Sequence, residues 1–237
     1  MTLNIRTILV PVDFGAASAR AISVAGRLAP ACDARMQLLH AESLDLPPYF
    51  TAAQIESFER ERQVARAQAH DVLSLFAAGQ TTSAFSTAIA ERSSVDAILD
   101  AAKTSDFIVM GTHGRRGVSR WWLGSVAERV VRESARPVLV VHEQSPESWG
   151  HDPLILVGTD TADSDAPERQ FTQRLATCLG GHWAAVATGQ LPEIGKAEDA
   201  AIIVVRTPWP GGSAAAIHQA EQMLQGCTRP ILFVPPA

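Results

Sequence analysis

The residues best suited to chemistry in this 237-residue chain lie in the segment IVMGTHGRRGVSRWWLGSVAERVV. Gly111, Gly114 and Gly117 let backbone N–H groups turn inward where a Cβ would obstruct them. Gly124 and Ser125 then open a helical stretch, whose first-turn N–H groups and dipole favour an anion. The Ser125 hydroxyl adds one more donor. A strand, a glycine loop and a helix in that order make a phosphate cradle. Alone, the glycines could merely make tight turns. Asp13 strengthens the phosphate reading, because it ends an apolar run of the same sheet. Ligands of open α/β sheets bind beyond the carboxyl ends of the strands, where Asp13, Ala41 and Gly111 all fall. A carboxylate facing a phosphate needs a cation between them, or it hydrogen-bonds a ribose hydroxyl. Either role suits Asp13, and a Mg²⁺ held by one carboxylate plus phosphates is a common arrangement.

Other residues of the loop carry less. Arg115 and Arg116 either screen phosphates or decorate a solvated loop. His113 is an acid or base by type, but no nucleophile, base and orienting group line up around it. Its ring is better placed to pack beside a ligand. Trp121 and Trp122 read as a cover over the loop. No histidine or acidic spacing of the HExxH kind is present.

The elements that must position these residues follow from hydrophobic pattern. TILVPV at 7–12 reads as a buried strand, followed by a helix from Ala16 to about Ala29 and a strand at 35–41. A long helix is expected over 52–78, with Ile55, Phe58, Val64, Val72, Leu75 and Phe76 on its buried face. A weak strand follows at 83–88. Ser94 can cap a helix that buries Val95, Ile98, Leu99 and Ala102. Strands at 106–110 and 138–142 flank the loop and its helix. Strands apolar on both faces and alternating with helices predict a parallel sheet covered on each side.

The turn-rich stretch EQSPESWGHDP at 143–153 reads as a linker, after which the pattern restarts. TILVPVD at 7–13 matches LILVGTD at 154–160, and RPVLVVHE at 136–143 matches RPILFVPP at 229–236. An internal duplication is expected, the second copy being shorter. Its strands are expected at 182–189 and 200–206 besides the matched runs. No counterpart of the long helix or the strand after it is evident. Asp160 keeps the place of Asp13, but RTPWPGGSAAAIH replaces the glycine loop. Pro208 and Pro210 cannot donate there, although Gly211, Gly212 and Ser213 could form a small anion nest.

Composition bounds the function. The net charge of −5 has no basic block to track a nucleic acid. No apolar run approaches the ~20 residues that span a bilayer. MTLNIRTILVPVDF lacks the pattern of a secretory signal, so a cytoplasmic protein is expected. Three cysteines without close spacing, Cys32, Cys178 and Cys227, fit a reducing compartment and read as small buried hydrophobes.

The spacing Gly111-x2-Gly114-x9-Gly124-Ser125, with VPVDF, GTHG and ARPVLVV, resembles the nucleotide signature of ATP-binding universal stress proteins. The resemblance covers residues 1–143 well and 151–237 as a degenerate copy. It implies two tandem flavodoxin-like or Rossmann-like α/β sandwiches, a nucleotide-binding domain at 1–145 and a shortened degenerate domain at 151–237. It also implies that the backbone at Pro11 and Val12 contacts adenosine, with Asp13 near the ribose or a Mg²⁺, and that Ala41 meets the adenine edge. Met110, Gly111, His113 and Gly114 would border ribose and phosphates, with Arg115 and Arg116 nearby. Gly124, Ser125 and Val126 would hold the phosphates. Ala127 stands where ATP-binding members often carry a hydroxyl, which bears on the choice between ATP and ADP or AMP. The family pairs through last strands, so strands near 138–142 and 231–234 are expected side by side, as an intramolecular pseudo-dimer able to associate into a homodimer. The implied role is regulatory binding of an adenine nucleotide, whose phosphates order the 111–125 loop and change a surface seen by a partner. The alternatives are slow nucleotide hydrolysis, and an interaction protein with a vestigial loop.

Overall fold

A computed structural model describes residues 5–42, 52–112, 123–146, 148–160, 163–191, 200–207 and 227–236, with the backbone alone for 52–61. The first half runs β1 (Thr7–Pro11), α1 (Ala16–Ala31), β2 (Arg35–Ala41), α2 (Ala52–Ala78), β3 (Phe85–Ala90), α3 (Ser94–Ala102), β4 (Phe107–Thr112), α4 (Ser125–Glu133) and β5 (Val138–His142). The second runs β6 (Leu154–Gly158), α5 (Pro167–Leu179), β7 (His182–Val186), a 3₁₀ turn (Thr188–Gln190), β8 (Ile202–Arg206) and β9 (Ile231–Val234). Among the described residues all strands join one sheet in the order β3-β2-β1-β4-β5-β9-β8-β6-β7. Pairing is parallel within each half. The result is two Rossmann-like halves in tandem, the second truncated.

The halves repeat each other bond for bond. Val12 N–H donates to the Leu39 carbonyl at 2.8 Å, and Thr159 N–H to that of Val186 at 3.0 Å. Asp106 donates to Thr7 as Ala201 does to Leu154, and Ile108 to Pro137 as Ile203 does to Pro230. Helices α1 and α5 end alike: Ala34 N–H bonds to Ala29, Gly181 N–H to Ala176, and left-handed residues, Asp33 and Gly180, precede the donors. Glycine adopts that conformation freely, and aspartate tolerates it.

Strands β5 and β9 lie side by side, as the family resemblance implies, and they meet antiparallel. Val138 faces Phe233, Leu139 faces Leu232 and Val140 faces Ile231. Since Leu139 and Leu232 are equivalent in the two repeats, a pseudo-two-fold axis passes through this pair. Each strand covers the edge that the other would expose.

Two apolar layers sandwich the sheet. Ile8, Val10, Leu28, Leu73, Phe107, Phe171 and Leu175 pack on one side, joining α1, α2 and α5. Leu9, Ile98, Ile108, Val130, Leu191 and Phe233 pack on the other. The ring centroids of Phe107 and Phe171 lie 5.5 Å apart, a contact between the halves.

Several elements differ from expectation. Helix α2 buries Leu73 and Ala77, whereas Val64, Val72 and Leu75 face solvent, Leu75 at 78% exposure. The apolar residues of α2 form two faces, and the one set by Leu73 and Ala77 meets the sheet. Ile55 and Phe58 lie among the residues described by backbone alone. The cap of α3 is Ser93, not Ser94, because its hydroxyl accepts from Asp96 N–H at 3.3 Å. Leu99 is half-buried on α3. The expected linker is partly packed: Ser145 is buried and its hydroxyl donates to the Thr228 carbonyl at 2.8 Å.

Candidate functional site

In the order β3-β2-β1-β4-β5 the chain adds strands to one side of β1 and then, from β4, to the other, so a crevice opens at the carboxyl ends between β1 and β4. A cavity of about 780 Å³ lies there. Pro11, Val12 and Asp13 line it after β1, and Leu39, His40 and Ala41 from β2. Met110, Gly111 and Thr112 line it from β4, and Leu123 to Ala127 from the entry to α4. Ser18, Ser94 and Ile98 complete the wall.

The chain turns out of β1 sharply. Phe14 adopts φ 62°, a left-handed value costing a bulky residue about 1–2 kcal/mol. The turn lets the Asp13 carboxylate accept from Gly15 N–H at 3.0 Å, so one carboxylate oxygen is fixed at the cleft edge. The Phe14 ring is held by His40 at 4.6 Å and Phe76 at 5.3 Å between centroids. His40 Nδ1 donates to the Val12 carbonyl at 2.7 Å, and its Nε2 lies 3.3 Å from a Glu42 carboxylate oxygen. These bonds tie β1 to β2 at the cleft floor.

Gly111 is required by packing. A Cβ there would sit 2.4 Å from the Ala17 carbonyl carbon, so the start of α1 rests directly on β4. That approach narrows one wall of the cleft. On the other wall, Gly124 precedes α4 with no side-chain cap. Gly124 N–H donates to the Thr112 hydroxyl at 3.3 Å, which ties the helix entry to the end of β4. The first-turn N–H groups of α4, at Ser125, Val126 and Ala127, lack intrahelical partners by geometry and border the cleft.

Of the residues singled out from sequence, Pro11, Val12, Asp13, Ala41, Met110, Gly111, Gly124, Ser125 and Val126 share this one cavity. His113, Gly114, Arg115 and Arg116 lie outside the described residues, as do Gly117, Trp121, Trp122 and the Gly211–Ser213 stretch. Sequence reading passed over His40, Thr112 and Ser94 as site residues. Thr112 sits inside the GTHG motif, and Ser94 at a helix start, so both carried a signal. His40 acts through Val12, across two strands, and carried none. Among the described residues no cluster of three metal-ligating side chains forms. No helix among them is long and apolar enough to cross a membrane.

At the equivalent end of the second half, the turn after β7 packs over the end of β6. Leu191 is buried at 1% exposure, and a Cβ on Gly158 would lie 2.1 Å from its side chain. Asp160 is engaged: its carboxylate accepts from Thr188 N–H at 2.9 Å.

A parallel sheet whose strand order reverses between β1 and β4, with a crevice facing a helix start, defines a Rossmann-like α/β protein. The pattern of the universal stress protein family matches residues 4–142, and the chain belongs to that family. A universal stress protein of Mycolicibacterium smegmatis is 29% identical over 65% of this chain and 53% of its own length. One from Thermus aquaticus is 34% identical over 57% of this chain and 98% of its own. Of two of the curated relatives it matches, the chain spans only about a quarter and about half of the length. The crystal structure of a universal stress protein from Archaeoglobus fulgidus superposes with a TM-score of 0.66 over 100% of this chain and 99% of its own, at 14% identity, a likeness of fold.

Proposed function

We propose that the first half, residues 1–145, binds one adenine nucleotide per chain as a regulatory ligand in a cytoplasmic stress response, and that 151–237 is a shortened partner domain without a site. The observation that carries this is the cleft itself. An apolar slot between β1, β2 and β4 leads to the unpartnered first-turn amides of α4, with Asp13 across from them.

The chemistry fits a nucleoside with phosphates. A base fits between the backbone of Pro11 and Val12 and that of Ala41. A ribose fits beside Asp13, Met110 and Gly111, where the absent Cβ leaves α1 and β4 in contact. Phosphates suit the amides of Gly124, Ser125 and Val126, a helix N-terminus being a natural anion site. His113, Gly114, Arg115 and Arg116 lie in the segment that joins these two walls. The Asp13 carboxylate suits a Mg²⁺ shared with phosphate oxygens, which would neutralise charge there and add no other chemistry. Ala127 offers only its amide, so the diphosphate or monophosphate competes with ATP more evenly than a hydroxyl would allow.

Calorimetry on the full chain with ATP, ADP and AMP, each with Mg²⁺ and with a chelator, tests the reading. Saturable binding of one nucleotide per chain is expected. No heat from any of the three at high protein concentration would overturn it. Release of ADP or AMP over hours, monitored in parallel, distinguishes a slow hydrolase from a binding protein.

A further inference from the structure

We propose that the outer edge of β3 is a docking site for an extended, acidic segment of a partner protein, which pairs with β3 as a further strand of the sheet. Strand β3 ends the sheet, and among the described residues no strand lies beyond it. Its register fixes which main-chain groups are left over. Glu42 N–H donates to the Ala90 carbonyl at 2.9 Å, so Ala90 turns its main chain toward β2. Alternate residues of a strand turn opposite ways, so Ser86 and Ala88 also face β2, whereas Phe85, Thr87 and Ile89 offer N–H and C=O outward. Sheet edges are commonly guarded by charge, proline or a bulge, and FSTAIA over 85–90 has neither charge nor proline.

A groove of about 420 Å³ follows the carboxyl half of this edge. Its floor is the chain from Ala88 to Arg92, with Arg62 and Arg66 of α2 on one side and Ala97 and Ala101 of α3 on the other. Ile89 sends its side chain into the opposite apolar layer, so what it lends the groove is its outward main chain. Ala88, Ala90 and Ala97 fill little of the space, which leaves room for aliphatic side chains of an added strand. The groove lies across α3 from the larger cleft, since Ser94 and Ile98 line the one, and Ala97 and Ala101 the other.

Charge selects an acidic occupant. Three arginines and two carboxylates line the groove, in a chain whose net charge is −5. Both carboxylates are already matched. Glu91 pairs with Arg62, and Asp100 pairs with Arg92 at 3.4 Å and with Lys103 at 3.0 Å. Arg66 is the basic excess, and it is exposed on the α2 side. Any extended chain gains the main-chain bonds of strand addition, but only an acidic one is also drawn to this rim. The side chains of an added strand alternate between its two faces. The fitting segment is therefore aliphatic toward Ala88 and Ala90, and acidic toward Arg66.

The test uses the full chain without nucleotide, so its result is separate from that of the nucleotide titrations. The probe is a labelled, capped peptide alternating glutamate and valine over about six residues, followed by fluorescence anisotropy. Saturable binding is expected, weakening as salt is raised. Joint reversal of two exposed charges, Arg66→Glu with Arg92→Glu, should weaken it about tenfold or more. The same peptide N-methylated on alternate amides should not bind, a control that leaves the protein untouched. Hydrogen exchange at the Phe85, Thr87 and Ile89 amides should slow when the unmethylated peptide is present. No saturable binding up to about millimolar peptide, equal binding of the methylated form or of a lysine–valine peptide, or an unchanged affinity in the double variant would each overturn the proposal. So would dimers of the chain that the double variant disperses, since the occupant would then be a second copy.

Discussion

The two halves share a backbone plan and part company at one end. In the first, the crevice beyond β1 and β4 stays open at about 780 Å³. In the second, Thr188 and Leu191 pack against Gly158 at the end of β6, and Asp160 bonds to its own chain. The strands beneath are equivalent in hydrogen bonding, as the Val12–Leu39 and Thr159–Val186 bonds illustrate. A sheet of this kind therefore does not make a site. What makes one is the connection after each strand, which either leaves the carboxyl ends clear or folds over them.

The largest expected effect strikes what the halves share. Phe107→Ala or Phe171→Ala removes an aromatic contact between them and should cost about 3–5 kcal/mol. Unfolding in urea should remain a single transition at lower midpoint. Two separated transitions in the wild type would mean that the halves are independent units, and would break the comparison at its root.

The next effect belongs to the second half. Leu191→Ala leaves a cavity and should cost about 2–4 kcal/mol, read from the same midpoint. Nucleotide stoichiometry should stay at one per chain, because the Thr188 amide still holds Asp160. A second site appearing in this variant would mean that Leu191 alone keeps the second cleft shut.

The aspartates sharpen the contrast directly. Asp13→Ala should weaken nucleotide binding about tenfold, or about 1.4 kcal/mol. Asp160→Ala should leave the affinity unchanged. Calorimetric titration of the two variants side by side reads both outcomes.

The smallest effect concerns elements that only the first half displays among the described residues. The carboxylate of Glu91, after β3, pairs with Arg62 of α2. That hydrogen bond holds the Glu91 carboxyl below its ordinary value. A lowered value means that the pair stabilises above the ordinary carboxyl pKa, and that this is lost as pH falls through the lowered one. Glu91→Gln should cost well under ~1 kcal/mol at neutral pH, since solvent screens the pair. The midpoints of wild type and variant should converge in acid.

Much of this was legible in the residues. TILVPV and LILVGT announce buried strands because both faces are apolar, and their repetition announces the duplication. The cleft residues from Pro11 to Val126 were readable because glycines, a helix start and an aspartate fall at strand ends. The face of α2 was not readable: Val64, Val72 and Leu75 are as apolar as Leu73, and only the position of the sheet decides among them. The Ser93 cap was missed by one residue, adjacent serines being indistinguishable without backbone angles. The packing of Leu191 against Gly158 had no local signature.

The self-facing pair Leu139 and Leu232 carries one more consequence. A strand register centred on equivalent residues is one that two identical chains could also adopt. A fragment ending near residue 145 would keep β4 on one side of Val138–His142 and leave the other edge open, and a second fragment would offer the same strip reversed. The tail half thus serves as a tethered stand-in for a sibling molecule. Whatever changes at its strand ends, it must keep the strip that greets its twin.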